Sequence, residues 1–172
     1  MILPTLLDVA GSGDAGIVQR VTRPSPQSLD AWRGMLNAHA EVVARLAREM
    51  KAEIGIPLTW YEVLLILFES PDGSMRMHKL AEARLLSRSA ATRLVDRMLK
   101  AGLVERAGAA SDGRGTTVRM SADGEALLRR AGRVHLDGIS RHFGDLIEED
   151  EAAVIASVMW RVASGVRSAE TE

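Results

Sequence analysis

Between Ser87 and Lys100 the chain sets Ser87, Arg88, Ser89, Thr92, Arg93, Arg97 and Lys100 among apolar residues that include the four Ala91, Leu94, Val95 and Met98. On a helical wheel the apolar four fall on one side. Ser89, Arg93, Asp96 and Lys100 lie opposite, with Thr92 and Arg97 on the flanks. A helix with a narrow apolar face and donors opposite suits the DNA major groove. There arginine bonds guanine bidentately and threonine meets a thymine methyl. Ser87 and the free N–H groups at the helix start can hold a phosphate. Asp96 would repel one, and its simplest role is an i,i+4 partner of Lys100. From Arg76 to Met120 ten basic residues stand against four acidic ones, a net +6 within a chain of formal net charge −1. A basic block in an otherwise acidic protein points to a local polyanion surface, with a solvated charged face as the plainer alternative.

Other residues invite other chemistry and carry less of it. Gly11-Ser12-Gly13-Asp14-Ala15-Gly16 matches the G-x-G-x-x-G loop that cradles a dinucleotide. Such loops need a βαβ unit of ~30 residues and an acid ~20 residues on. Here Pro24 and Pro26 cut any following helix short and no second strand follows, so a flexible glycine-rich arm is the better reading. His39, His78, His135 and His142 suggest a metal, but the last two stand seven residues apart on one helix. That is ~10 Å along its axis, too far for ligand bonds of ~2 Å to one ion. Asp145, Glu148, Glu149, Asp150 and Glu151 read as acids favouring a helix N-terminus. No nucleophile elbow, Ser/His/Asp set or phosphate-binding loop is visible. Neither an enzyme, a cofactor nor a metal is expected.

The elements that must position the basic helix follow from composition and periodicity. The 172 residues are 47% hydrophobic, 26% charged and only 3% aromatic, with five prolines. That balance favours helices around Ala, Leu and Val cores. There is no cysteine, which removes disulfides and thiol chemistry and fits a cytoplasmic protein. No apolar run approaches the ~20 residues that span a membrane. Residues 1–28, rich in Gly, Ser and Pro, read as an arm. Leu29, Trp32, Leu36, His39, Val43, Leu46 and Met50 alternate in steps of three and four, the stripe of a long helix capped by Ser28 and ended by Gly55 and Pro57. Thr59 and Glu62 have capping-box spacing ahead of the apolar run Val63–Phe68. Met75–Met77 predicts a short strand, and Lys79–Arg84 and Ser87–Ala101 two helices, the second stopped by Gly102. Leu103–Arg106 and Thr116–Met120 predict strands joined by a glycine-rich loop. Ser121 caps a helix to about Phe143. A last helix covers roughly Glu148–Val166, with Val154, Val158, Val162 and Val166 on one stripe.

These residues also resemble a known family. Leu80-Ala81-Glu82, Leu86-Ser87-Arg88-Ser89, Thr92 to Met98 and Ala101 to Arg106 are similar to the MarR family of bacterial regulators. So are Asp112-Gly113-Arg114 and the run Val118 to Ser121 with Gly124. The resemblance covers about residues 29–168 and is strongest from 75 to 125. It implies a dimer joined through N- and C-terminal helices, a recognition helix in the major groove and a wing arginine in the minor groove. Ser87, Arg88, Ser89, Thr92 and Arg93 would then contact DNA, Arg114 would enter the minor groove, and Asp112 would orient the wing. A narrow minor groove concentrates negative potential and attracts arginine. The sequence departs from the family pattern at Gly115 and Thr116, where further wing arginines are usual. That implies a shallower salt dependence.

The expected fold is mainly α: a winged helix-turn-helix with long N- and C-terminal dimerisation helices and a two- to three-stranded wing. The expected division is an arm over 1–28, a dimerisation helix over 29–58, the winged helix-turn-helix over 59–120 and C-terminal dimerisation helices over 121–172. The expected function is a cytoplasmic homodimeric regulator, a repressor of a pseudo-palindromic operator in double-stranded DNA. Its DNA-binding residues are Ser87, Arg88, Ser89, Thr92, Arg93, Arg97, Asp112 and Arg114. The resemblance further implies a small aromatic or phenolic effector, for which Trp32, Arg33, His39, Trp60 and Tyr61 are the candidate lining. The alternatives are a winged-helix protein–protein module that does not read DNA and an enzyme using the glycine loop.

Overall fold

The computed structural model describes residues 23–107 and 116–169. The chain divides into two compact units, Met1–Asn37 and Ala38–Glu172, with the boundary inside the first helix. That helix, α1, runs Pro26–Glu49. Pro26 opens it, where a missing N–H is no loss. The Ser25 hydroxyl accepts the Ser28 N–H at 3.0 Å. Ser25 is therefore the cap, and the expected cap Ser28 lies in the first turn. After Glu49 the helix widens into a π-helical turn, Met50–Ile54, closed by Gly55 at φ 86°. The lower part of the predicted stripe is buried at Leu46 and Met50, whereas Trp32, Leu36 and Val43 are exposed.

Helix α2 spans Leu58–Glu69 behind Pro57, which makes no side-chain cap. The expected capping box does not form. Proline presets the entry, Thr59 already sits inside the helix, and Glu62 forms an ion pair with Arg84 instead. A turn at Pro71–Gly73 leads to strand β1, Ser74–Arg76, and helix α3, Met77–Ala83. Helix α4 is Arg88–Lys100. Strands β2, Val104–Ala107, and β3, Thr117–Met120, complete an antiparallel sheet in the order β1-β3-β2. Met75 faces Val118, and Val104 faces Met120. Helix α5 is Ala122–His142 and α6 is Glu149–Ala169. The predicted order of three helices and a hairpin between long helices is the observed one. So is the mainly helical winged-helix class, with a third strand added from β1.

The core gathers Met50, Val63, Leu64 and Leu67 with Leu80, Val95, Met98 and Val118, all essentially buried. It joins α2 to α5, α3 to α4 and both to the sheet, which holds α4 in a single orientation. Ser121 ties two of these elements together. Its hydroxyl donates to the Gly102 carbonyl at 2.6 Å and accepts the Gly124 N–H at 3.0 Å. Gly124 is needed for close approach, because a Cβ there would lie 2.1 Å from the Leu103 carbonyl oxygen.

Two helix ends share one geometry with different residues. At the end of α4 the Gly102 N–H donates to Leu99 O and the Leu103 N–H to Met98 O, both at 3.0 Å. Gly102 has φ 73°, the left-handed cap in which glycine meets no Cβ penalty. At the end of α3 the Leu85 N–H donates to Glu82 O at 3.0 Å and the Leu86 N–H to Ala81 O at 2.9 Å. Here the left-handed position, φ 51°, is occupied by Leu85. A side chain in that conformation costs ~1–2 kcal/mol, and this one is also 95% exposed.

Candidate nucleic-acid interface

Helix α4 is built as the wheel predicts. Ala91, Leu94, Val95 and Met98 are buried, while Arg88, Ser89, Thr92, Arg93 and Arg97 are exposed. Ser87 caps the helix: its hydroxyl accepts the Ala90 N–H at 3.2 Å and lies 3.2 Å from the Ser89 hydroxyl. Capping occupies the third N–H of the helix, and the first two stay outside the intrahelical ladder. The Thr92 hydroxyl donates to the Arg88 carbonyl at 2.9 Å. Its methyl is the part of the side chain not so engaged.

Asp96 does not take the role expected of it. Its carboxylate accepts from the Arg106 guanidinium on β2 at 2.9 Å. The sheet places an arginine beside it, and a guanidinium offers a planar donor that the flexible Lys100 amine does not. The pair removes the one carboxylate on the outward side of α4. Glu105, another of the block's four acids, stands opposite Arg119 in the strand register. Each pairing takes a cation together with the acid, so the block keeps its net +6 while the outward face of α4 is left without a free carboxylate. Sequence reading missed Arg106 because a partner ten residues away on a strand has no helical spacing to betray it.

Asp112 and Arg114, the candidate wing residues, lie outside the described residues, as does the glycine loop Gly11–Gly16.

The five candidate ligand residues are placed differently from one another. His39 lines a groove of ≈ 600 Å³ with apolar Val43, Ala47 and Leu58 and charged Lys51, Glu62 and Arg84. Tyr61 is buried, its ring 4.6 Å from that of His135. Burial pushes the Tyr61 phenol up, and the Glu69 carboxylate adds to this. Burial pulls the His135 imidazole down. Trp60 is half-buried, with its indole N–H lacking a partner among the described residues. Trp32 and Arg33 belong to the first unit, where both are exposed. Sequence reading missed Lys51 and Arg84, which bring cations to the groove; only the fold puts them beside His39. Among the described residues no three His, Asp or Glu side chains gather as a metal site. None of the described helices is long and apolar enough to cross a membrane.

Residues 54–115 match the model of the MarR family. The chain is 27% identical to AbsC, a MarR family transcriptional regulator from Streptomyces coelicolor, with a TM-score of 0.75 over 85% of this chain and 98% of that one. It is 28% identical to Sco3205, a MarR family transcriptional regulator from the same organism solved in complex with DNA. There the TM-score is 0.74 over 84% of this chain and 94% of that one. A mutant of MarR from E. coli, solved with operator DNA, shares the fold at 20% identity and a TM-score of 0.68, covering 79% and 95%. Curated proteins provide no match.

Proposed function

We propose that the chain is a MarR-type transcriptional regulator, a reading supported by the match over residues 54–115 and by the likeness to AbsC and Sco3205, and that it binds a pseudo-palindromic operator in double-stranded DNA as a homodimer and acts as a cytoplasmic repressor. One observation carries the proposal. The outward face of α4, with Arg88, Ser89, Thr92, Arg93 and Arg97, is open, while its other face is locked in the core and Asp96 is neutralised by Arg106. Such a face has the donors to read base edges and the rigidity to keep register. Arg88, Arg93 and Arg97 supply bidentate donors, Thr92 a methyl, and Ser87 and Ser89 the helix start. Support comes also from Sco3205, whose structure was solved with DNA.

Arg114 is assigned to the minor groove and Asp112 to orienting the wing. Arg114→Ala should weaken binding by ~1–3 kcal/mol per site, read by fluorescence anisotropy at fixed salt. An unchanged affinity takes the wing out of the interface.

A small aromatic or phenolic effector is proposed to release the DNA. The groove beside His39 supports this, since its apolar walls suit an aromatic ring and Lys51 an acidic group on it, Arg84 being paired with Glu62 in the same lining. Trp60 and Tyr61, and Trp32 and Arg33 of the first unit, stand as further ligand candidates. Such a ligand releases DNA only by binding the free conformation better than the bound one. Calorimetry with a panel of phenolic acids tests it, and absence of heat for the whole panel removes the switch.

The deciding experiment is selection from a random duplex pool, followed by titration of the winner against scrambled DNA. A palindromic winner bound at least ~10³-fold more tightly is the expected result. Absence of enrichment replaces DNA reading by a protein–protein role for the winged helix.

A further inference from the structure

Leu85 combines two costs that the structure does not offset. It occupies a left-handed cap that glycine fills at the end of α4, and it is 95% exposed. Within its own chain the packing partner of that turn is Leu86, which is half-buried and adjoins the core. The Leu85 side chain takes no part in that packing. A strained, exposed apolar residue is therefore explained by what lies outside the chain.

Its position identifies what that is. Leu85 stands two residues before Ser87, the cap of α4, and borders a shallow groove of ≈ 460 Å³ that also includes His78, Leu86 and Arg88. Arg88 belongs to the outward face of α4, so the groove is continuous with the proposed DNA surface. Arg88 is the one cation and Glu82 the one acid lining the groove, and Lys79 is exposed on α3 outside that lining. A leucine beside Arg88 at the edge of a major-groove helix matches a DNA strand, in which apolar deoxyribose and thymine methyl groups alternate with phosphates.

We propose that Leu85 is a further DNA-contacting residue, making an apolar contact with the sugar or thymine methyl edge of the strand bordering the groove that α4 enters. The inference rests on the DNA-binding reading above. The contact adds affinity without neutralising a phosphate. It also fixes the turn between α3 and α4 against the duplex, which sets the depth to which α4 enters.

Leu85→Gly and Leu85→Ala in the full chain test this against the operator from the selection, with Arg93→Ala alongside. Glycine relieves the backbone, so Leu85→Gly should raise the melting temperature by ~2–4 °C. Both variants should nevertheless bind DNA ~3- to 10-fold more weakly. The slope of log affinity against log salt should stay that of the parent, because no counterion-releasing contact is lost. A loss in Leu85→Gly alone would trace to turn flexibility and overturn the contact. Unchanged affinity in both variants also overturns it, and assigns the leucine to a protein partner or to no partner. In either case a weakened Arg93→Ala leaves the DNA-binding reading standing. Unchanged binding in Arg93→Ala as well sinks that reading along with the proposal.

Discussion

His135 and Tyr61 make a ring pair in which each partner is held neutral by burial. The imidazole takes up a proton less readily in the fold than in the unfolded chain, whose ordinary value is 6.5. The unfolded state thus binds more protons just below that value, and stability falls as the pH drops below 6.5 and through the depressed folded value. His135→Phe keeps a ring against Tyr61 and removes the titration. Its melting temperature should fall less than the parent's between pH 7.5 and 5, as followed by circular dichroism. Equal falls would mean that other groups dominate the acid limb. Glu49 makes a second polar junction: His142 lies 2.6 Å and Arg141 3.0 Å from its carboxylate, and the His142 hydrogen bond chiefly holds the carboxyl below its ordinary range. Neither pair carries a helical or strand spacing, so neither was visible from sequence.

At the scale of the element, what matters is how α4 is aimed. Its apolar face was legible because one helix face repeats every three or four residues, whatever it packs against. Its aim depends on the joints at each end. At the far end Ser121 bonds the Gly102 carbonyl and the Gly124 N–H, and Gly124 lets α5 press onto Leu103. Ser121→Ala should cost ~1–2 kcal/mol, since it removes both a cap and a joint. Gly124→Ala should cost more, because the added methyl meets backbone rather than a movable side chain. Urea titration ranks the two. A Gly124→Ala chain as stable as the parent would show that α5 can shift away from the strand.

The whole molecule combines a basic winged helix with acidic surroundings and leaves one helix without internal cover. None of the described residues of α6 is buried, and Val154, Trp160, Val162 and Val166 are each more than half exposed. A single chain seldom exposes so large an apolar stripe, and the proposed homodimer would cover it. Trp160→Asp with Val162→Asp should shift the protein from dimer toward monomer in sedimentation. It should also weaken operator binding by more than the loss of any one contact, because two half-sites are then read singly. A dimer that survives both changes places the interface elsewhere. Trp32 and Leu36, exposed on α1, are separate apolar residues available for the same role.

Sequence alone settled what is local. Helical period sorted the faces of α4, Gly55 and Gly102 marked helix ends, and charge counting located the basic block. These features depend on residues within a few positions of each other, whose spacing the backbone geometry dictates. Tertiary structure decided what joins distant segments or competes with a neighbour. Proline at 57 and the arginine at 84 took Glu62 from its capping box, and strand β2 brought Arg106 to Asp96 ahead of Lys100. The turn after α3 forced Leu85 into a glycine's conformation. In each case several local partners were chemically adequate, and the crossing of elements, absent from any one-dimensional pattern, selected among them.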